Sequence, residues 1–520
     1  MWRKNMTLNF ENNNHQLPKF PEPYWRDEIN FPSFSPLREN ITADVGIVGA
    51  GITGITLAYL LSQAGLKVAL IDAGVILNGT TGHTTAKITA QHGVIYDEFI
   101  GNFGEEKTKL YYHANEQALA FIKNTVDSLK IDCDFKEQDA YIYTNSEQEL
   151  NKLEKEAKAY EQLGIPGALL DSMPLQLPMK KALVMRNQAQ FHPIKYLLPL
   201  LEEIQKAGGQ IYENTTAVNI EEEDQPKIIT RNGQYIACKY AVSCSHFPFY
   251  DGMGFYFARM HPERSYIVAV KSEQPYPGGM YITSESPTRS VRSTPIGNEE
   301  LLLLSGDGHK TGKGVNTIKH YEALAQFGKD ALGLTDIRYR WSAQDLYTLD
   351  KVPYVGPITS TKENILVATG YRKWGMTNST AAAMMLKDLI LEERHLYEDI
   401  FTPSRFNADP SVKELVKKNA DVAVELVKGK LERIDKFPED VKKGEGTHVK
   451  VDGKKAGAYR DEDGKLHCVD TTCTHMGCEV EWNDGDRTWD CPCHGSRFSI
   501  EGDVIEGPAD QPLKKLAVDE

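Results

Sequence analysis

The sequence predicts an α/β chain. A Rossmann-type dinucleotide-binding domain carries an antiparallel-sheet subdomain, and a small separate domain follows. Three observations predict it. A glycine-rich turn at Gly49, Gly51 and Gly54 lies between a buried strand and a helix, and alternating strand patterns fill residues 255–340. Five of the eight cysteines fall after residue 467 in two short arms, which is a local site rather than a disulfide framework. At 520 residues, two or three domains are expected.

Residues 1–40 read as an N-terminal extension. It starts Met-Trp-Arg-Lys and continues through Asn12, Asn13, Asn14 and His15, with no apolar stretch of the kind a signal peptide needs. Residues 44–48 then form a short buried strand. Gly49-Ala-Gly51-Ile-Thr-Gly54 follows, leading into a helical pattern through Leu57, Leu60 and Leu61 that Gly65 ends as a left-handed cap. A second strand over 67–71 closes on Asp72. In this βαβ fingerprint Gly49 allows the tight turn, Gly51 the close approach of a pyrophosphate and Gly54 the packing of helix on strand. Asp72 accepts from a ribose hydroxyl.

Four further segments separate FAD from NAD. They are Gly79-Thr-Thr-Gly82-His-Thr-Thr-Ala86-Lys87, Gly208 to Val218, Tyr347-Thr-Leu-Asp350-Lys-Val-Pro353-Tyr-Val-Gly356, and Val367-Ala-Thr-Gly370-Tyr-Arg-Lys-Trp-Gly375-Met-Thr377. With the fingerprint they resemble the D-amino-acid oxidase/glycine oxidase group of FAD-dependent oxidoreductases, over roughly residues 40–400. The resemblance implies an FAD-binding Rossmann-type domain spanning 41–405, with a substrate subdomain at about 255–340. It implies that Ala73, Thr80, Thr84, Thr85, Ala86 and Lys87 wrap the cofactor and that Val218 lies against adenine. Gly370, Gly375, Met376 and Thr377 would lead a helix, over 378–391, whose N-terminus faces the flavin carbonyl side. Free N–H groups and the positive dipole end favour the negative charge of reduction there.

Residues 104–164 read as amphipathic helices, and residues 185–245 return to the FAD domain through strands such as 240–244. Segments such as 265–271 and 301–305 suit an antiparallel sheet over the flavin. Cys133, Cys238 and Cys244 read as small buried apolar residues. Residues 411–431 read as one helix with Leu415, Val416, Val422, Val424 and Leu426 as apolar positions. Pro410 suits its first turn, and Pro403, Pro438, Gly444 and Gly446 mark a linker region over 406–435.

The last part, 436–520, carries Cys473-Thr-His475-Met-Gly-Cys478 and Cys491-Pro-Cys493-His494-Gly-Ser496. Two thiolates, Cys473 and Cys491, can hold one iron while two imidazoles, His475 and His494, hold the other. That is the ligand set of a Rieske 2Fe–2S centre. Zinc is the weaker reading, because Cys473-x-His475 is tighter than zinc pairs usually are. The segment resembles the Rieske proteins of cytochrome bc complexes over about its last 90 residues, which implies a small all-β domain. It also implies a Cys478–Cys493 disulfide clamping the cluster loops, a Ser496 hydroxyl on a cluster sulfide and a loop at Pro508 covering the cluster. Phe498 stands where high-potential members carry a tyrosine, so the potential is expected below the top of the Rieske range.

A net charge of −14 argues against nucleic acid and anionic membrane surfaces. No apolar run reaches the length of a membrane-spanning helix, so a cytoplasmic location is expected. No second dinucleotide fingerprint appears, which disfavours reduction by NAD(P)H. No two-histidine, one-carboxylate iron site is visible, which disfavours an oxygenase.

The resulting expectation is an FAD-dependent dehydrogenase acting on the CH–NH or CH–NH2 group of an amine or amino acid. Its electrons leave one at a time through the cluster to an external acceptor protein or quinone. The alternative is a redox sensor or electron shuttle without a metabolic amine substrate. At the ring, His92, Arg372, Lys373 and Asp345 are the candidate catalytic residues. Amino-acid oxidases of the resembled group often place a carboxylate-binding arginine where this chain has Asp345, so a cationic amine suits the position better. Arg259, Arg264, Arg289 and Arg292 are the candidates for an acidic substrate. His475 and His494 are expected to leave their outer ring nitrogens near the surface for a partner.

Overall fold

The computed structural model describes residues 17–518 apart from 28, 223, 315, 394, 395, 406–414, 416–418, 421, 423, 424 and 427–433. Ile41–Val48, Ile52–Gln63 and Val68–Ile71 form the βαβ unit. Val45 to Val48 are all buried, as a strand covered on both faces by helices must be. An eight-stranded sheet runs Tyr354–Pro357, Ile365–Thr369, Tyr235–Ser243, Ile41–Val48, Val68–Ile71 and Gln210–Tyr212. Its inner pairs are parallel and the Tyr354–Pro357 edge is antiparallel. Ala217–Glu221 and Lys227–Thr230 add an antiparallel arm. The helices Ile52–Gln63 and Gly375–Ile390 pack on each other beside this sheet.

The second sheet has nine strands. It runs Ile337–Thr348, Met260–Ser272, Glu299–Lys310, Arg289–Ile296, Met280–Thr283, Lys136–Thr144, Lys181–Gln190 and Lys87–Ile88, with Gly167–Leu170 beside Lys181–Gln190. It therefore reaches well outside 255–340. Residues 104–164 are not helical throughout: Lys136–Thr144 is a strand between the helices Glu105–Leu129 and Glu147–Leu163. The alternation is hidden there because both faces are buried. Tyr141 and Tyr143 point into one core and Ile142 into another.

The C-terminal domain is all β, with a three-stranded sheet (Gly446–Val451, Lys454–Arg460, Leu466–Val469) and a four-stranded one (Glu481–Asn483, Thr488–Asp490, Arg497–Phe498, Val504–Glu506). Between the domains, Leu415, Asn419, Ala420, Val422, Glu425 and Leu426 are helical, while Pro410, Val416 and Val424 lie outside the described residues. Val422 and Leu426 pack on the core around the cysteine arms, and Asn419 donates to the Ala258 carbonyl at 3.0 Å. The extension is anchored too. Trp25 is fully buried, donates to the Thr84 carbonyl at 2.6 Å and lies against Trp341 and the Arg292 guanidinium.

Candidate functional site

At the first turn, Gly49 has φ +106, and a Cβ there would meet the Cys244 carbonyl at 2.5 Å. A Cβ on Gly54 would run into the Gly49 carbonyl, whereas one on Gly51 would meet only the Thr81 hydroxyl, at 3.1 Å. So Gly49 and Gly54 are required by the fold, and Gly51 keeps room open at the N-terminus of Ile52–Gln63. Both Asp72 oxygens accept backbone N–H groups, from Ala50 at 2.8 Å and Gly74 at 2.9 Å. Each retains a lone pair for a ribose hydroxyl. Ala73 is exposed. Val218 falls at a register shift in its ladder, between Ala217 and Asn219, which leaves its backbone polar groups available to a base. These features fit a dinucleotide.

Thr80 to His83 form a turn in which Thr80 Oγ1 donates to the Gln344 carbonyl at 3.3 Å. Thr84 caps the Ala86 N–H through its hydroxyl, and Thr85 is half-buried beside it. Lys87 donates to Ser290 and to the Tyr281 carbonyl, and burial with the neighbouring Arg292 pulls its amine down to about 7. The helix expected over 378–391 starts at Gly375. Gly375, Met376 and Thr377 therefore form its first turn, with N–H groups that no intrahelical carbonyl can take. Gly370 has φ +81 and packs on Thr348.

His92 is buried with both ring nitrogens engaged. Nδ1 meets Tyr111 Oη at 2.6 Å, and Nε2 meets the Thr89 carbonyl at 2.8 Å and Thr377 Oγ1 at 3.1 Å. Burial and the nearby Arg372 hold it well below the ordinary imidazole range. It is a neutral ring stacked on Trp374, and Arg372 donates to its carbonyl at 2.9 Å. Asp345 is 8% exposed and lies directly across the ladder from Glu263. Burial pushes its carboxyl up to about 7; Lys373 pulls it down and Glu263 pushes it further up. Tyr347 and His261 flank this pair on the same two strands.

The four arginines divide otherwise than expected. Arg264 is fully buried against Asp486, Asp490 and Glu506 of the C-terminal domain, Arg289 pairs with Asp307, and Arg259 binds the carbonyls of Gly254 and Pro403. Arg292 binds the carbonyls of Ser293, Ala86 and Phe191. Their candidacy rested on charge alone, and the acids that claim Arg264 come from more than 200 residues downstream.

In the C-terminal domain, Cys478 and Cys493 form a disulfide, Cα to Cα 6.5 Å, between the two arms. Cys473 and Cys491 are buried free thiols in contact. The hydrogen bond with Cys491 draws Cys473 down to about 7 against burial, with help from the His475 N–H and the Ser496 hydroxyl. The His475 and His494 rings lie 4.9 Å apart, and both Nδ1 atoms are buried with no hydrogen-bond partner among the described residues. Two thiols and two orphaned imidazole nitrogens are what a 2Fe–2S cluster requires. Ser496 Oγ accepts the Ala509 N–H at 3.0 Å, which ties the Pro508 loop over the site, and Phe498 is fully buried in the core beneath it. The imidazoles do not both face out. His494 is 4% exposed and meets Phe257, while the half-buried His475 meets Phe247. The flavin-side domain meets both rings edge-on.

The profile described as FAD dependent oxidoreductase matches residues 44–389. The chain belongs to that family. A second profile, Rieske [2Fe-2S] domain, matches residues 434–517 of this FAD dependent oxidoreductase. It is 51% identical over 507 residues to a protein of Bacillus subtilis (strain 168) named as a Rieske 2Fe-2S iron-sulfur protein, YhfW, covering 98% of this chain and 100% of the other. It is 23% identical to the gamma-glutamylputrescine oxidoreductase of Escherichia coli (strain K12), covering 69% of this chain and 86% of that one. The fold matches glycine oxidase from Geobacillus kaustophilus with a TM-score of 0.60 at 18% identity, over 71% of this chain and all of that one. The FAD dependent oxidoreductase thus binds FAD in its α/β part and a 2Fe–2S cluster in its C-terminal domain. No helix among the described residues is long and apolar enough to cross a membrane.

Proposed function

We propose that the protein oxidises the CH–NH or CH–NH2 group of an amine or amino acid and delivers the electrons singly to an external acceptor, a redox protein or a quinone. The observation that supports this is that Ile337–Thr348, paired with Met260–Ser272, turns Asp345 toward Lys373 and Gln344 toward Gly495, next to the expected cluster ligand His494. When bound, the flavin takes a hydride and the cluster takes electrons one at a time. Overall, one amine and two oxidised acceptors give one imine, two reduced acceptors and two protons.

The chain's own residues prepare the substrate. A carboxyl near 7 at Asp345 can accept the ammonium proton at neutral pH, so the amine nitrogen enters neutral. Glu263 beside it favours a cationic substrate. Lys373 sets the charge of the pair, and His92 and Arg372 hold the ring-side turn in place. The FAD-wrapping roles of Gly51, Asp72, Thr80, Val218 and Gly375–Thr377, and the ligand roles of Cys473, His475, Cys491 and His494, belong to this reading. So does a cytosolic location, where the buried disulfide is shielded from reductants. A related protein named for an amine, gamma-glutamylputrescine, supports the substrate class.

The test is anaerobic titration of holoprotein with amines and amino acids, following flavin absorbance and the EPR signal of the reduced cluster together. One class of substrate should bleach the flavin and then raise the cluster signal. Bleaching only by NAD(P)H would sink the reading.

A further inference from the structure

The strand Ile337–Thr348 sorts its side chains by parity. Trp341 donates to the His83 carbonyl at 2.9 Å, and Asp345 lies by Lys373, so odd positions face the flavin loop and ring-side residues. Arg340 donates to the Gly485 carbonyl at 2.5 Å, Ser342 bonds Asp486, and Gln344 Nε2 donates to the Gly495 carbonyl at 2.9 Å. Even positions therefore face the cluster domain. Gln344 touches both sides, because its main-chain carbonyl accepts the Thr80 hydroxyl. Thr80 belongs to the loop expected to wrap the flavin, and Gly495 is bonded to the cluster ligand His494. The approach is close: Gly495 has φ +82, and a Cβ there would meet Pro262 Cβ at 2.6 Å.

The contact is also locked. Arg264 and Arg497 share Asp486, Asp490 and Glu506 in a buried cluster that spans the two domains. Tyr321 donates to Asp486 at 2.7 Å, and Thr317, at the start of Ile318–Leu332, bonds Asn483 and Asp484. Swinging the cluster domain away would strand Arg264 without a carboxylate and leave the three acids to Arg497 alone.

We infer that electrons cross from flavin to cluster within one chain, the two domains staying docked, and that Gln344 is the positioning residue bridging the two sides. The inference rests on the proposed redox reading. Each crossing moves one electron, oxidising the flavin side and reducing the cluster by one, while the accompanying proton goes to solvent.

Photoreduction of the bound flavin, with EDTA as electron donor, tests this without a known substrate. Cluster reduction is timed by its absorbance and EPR signal, in buffer and in sucrose of several-fold higher viscosity. The rate should not change with viscosity. Gln344→Leu should slow it about tenfold, with flavin content, cluster g-values and hydrogen exchange at 483–486 as in the parent. A rate that falls in proportion to viscosity, or a Gln344→Leu protein as fast as the parent, overturns the fixed bridge while leaving the redox reading intact. A flavin that is reduced beside a cluster that stays oxidised overturns the reading itself, and the inference with it. The viscosity arm needs no variant and stands if Gln344→Leu does not fold.

Discussion

Burial raises the Asp345 carboxyl from an ordinary 3.8 to about 7 in the folded protein. The folded value is the higher one, so between those two pH values the native state holds a proton that the unfolded chain has lost. Stability from this group is then present below pH 4 and lost as pH rises to 7. Asp345→Asn imitates the protonated form. Its stability relative to the parent should climb from near zero at pH 4 to about 2–4 kcal/mol at pH 8, read from urea denaturation of the apoproteins. Over the same window the parent should bind a cationic amine more tightly as pH rises, and the variant should show no such rise. A parent–variant difference flat in pH would remove Asp345 from the chemistry proposed for it. That Asp345 is a candidate was legible from its standing where the resembled amino-acid oxidases often place a carboxylate-binding arginine. That Glu263, Tyr347 and His261 join it was not, because cross-strand register is not written in either strand alone.

The elements show why the glycine fingerprint reads so clearly. Each glycine answers a different neighbour, and one of the three leaves space rather than filling a contact. Gly51→Ala should fold with an unchanged apoprotein melting temperature and lose FAD affinity by about tenfold or more, roughly 1.4 kcal/mol. Gly54→Ala must push Ile52–Gln63 off the Gly49 carbonyl and should cost the apoprotein about 1–3 kcal/mol. Calorimetry of the apoproteins and flavin titration separate the two. Equal loss of stability in both would mean that Gly51 serves packing, not the cofactor. The strand Lys136–Thr144 illustrates the opposite case. Ala140 to Thr144 are buried on both faces, so the alternation that marks a strand is missing there and the flanking helical patterns mask it. The parity of Ile337–Thr348, with polar residues at 340, 342 and 344, went unread, because nothing nearby in sequence says what they face.

For the whole molecule, the two cofactor domains were each legible, since ligand spacing and the dinucleotide turn are local patterns. Their joint was not, because it is built from residues far apart in sequence. Two guanidinium groups meet three carboxylates there. Against the raising effect of burial, Arg497 and Arg264 hold the Asp486 carboxyl below its ordinary value. Removing Arg264 leaves three buried acids to Arg497 alone, a loss that typically costs about 3–5 kcal/mol. Arg264→Met should therefore split thermal unfolding into two calorimetric transitions, the C-terminal domain melting apart from the flavin domain. The parent should unfold as one unit, and added salt should do little to it because the pairs are out of reach of solvent ions. A variant that still melts in one unshifted transition would show that the uncharged contacts, such as Gln344 on the Gly495 carbonyl, Thr317 on Asn483 and the packing of Val422 and Leu426, and not the charges, fix the cluster against the flavin side.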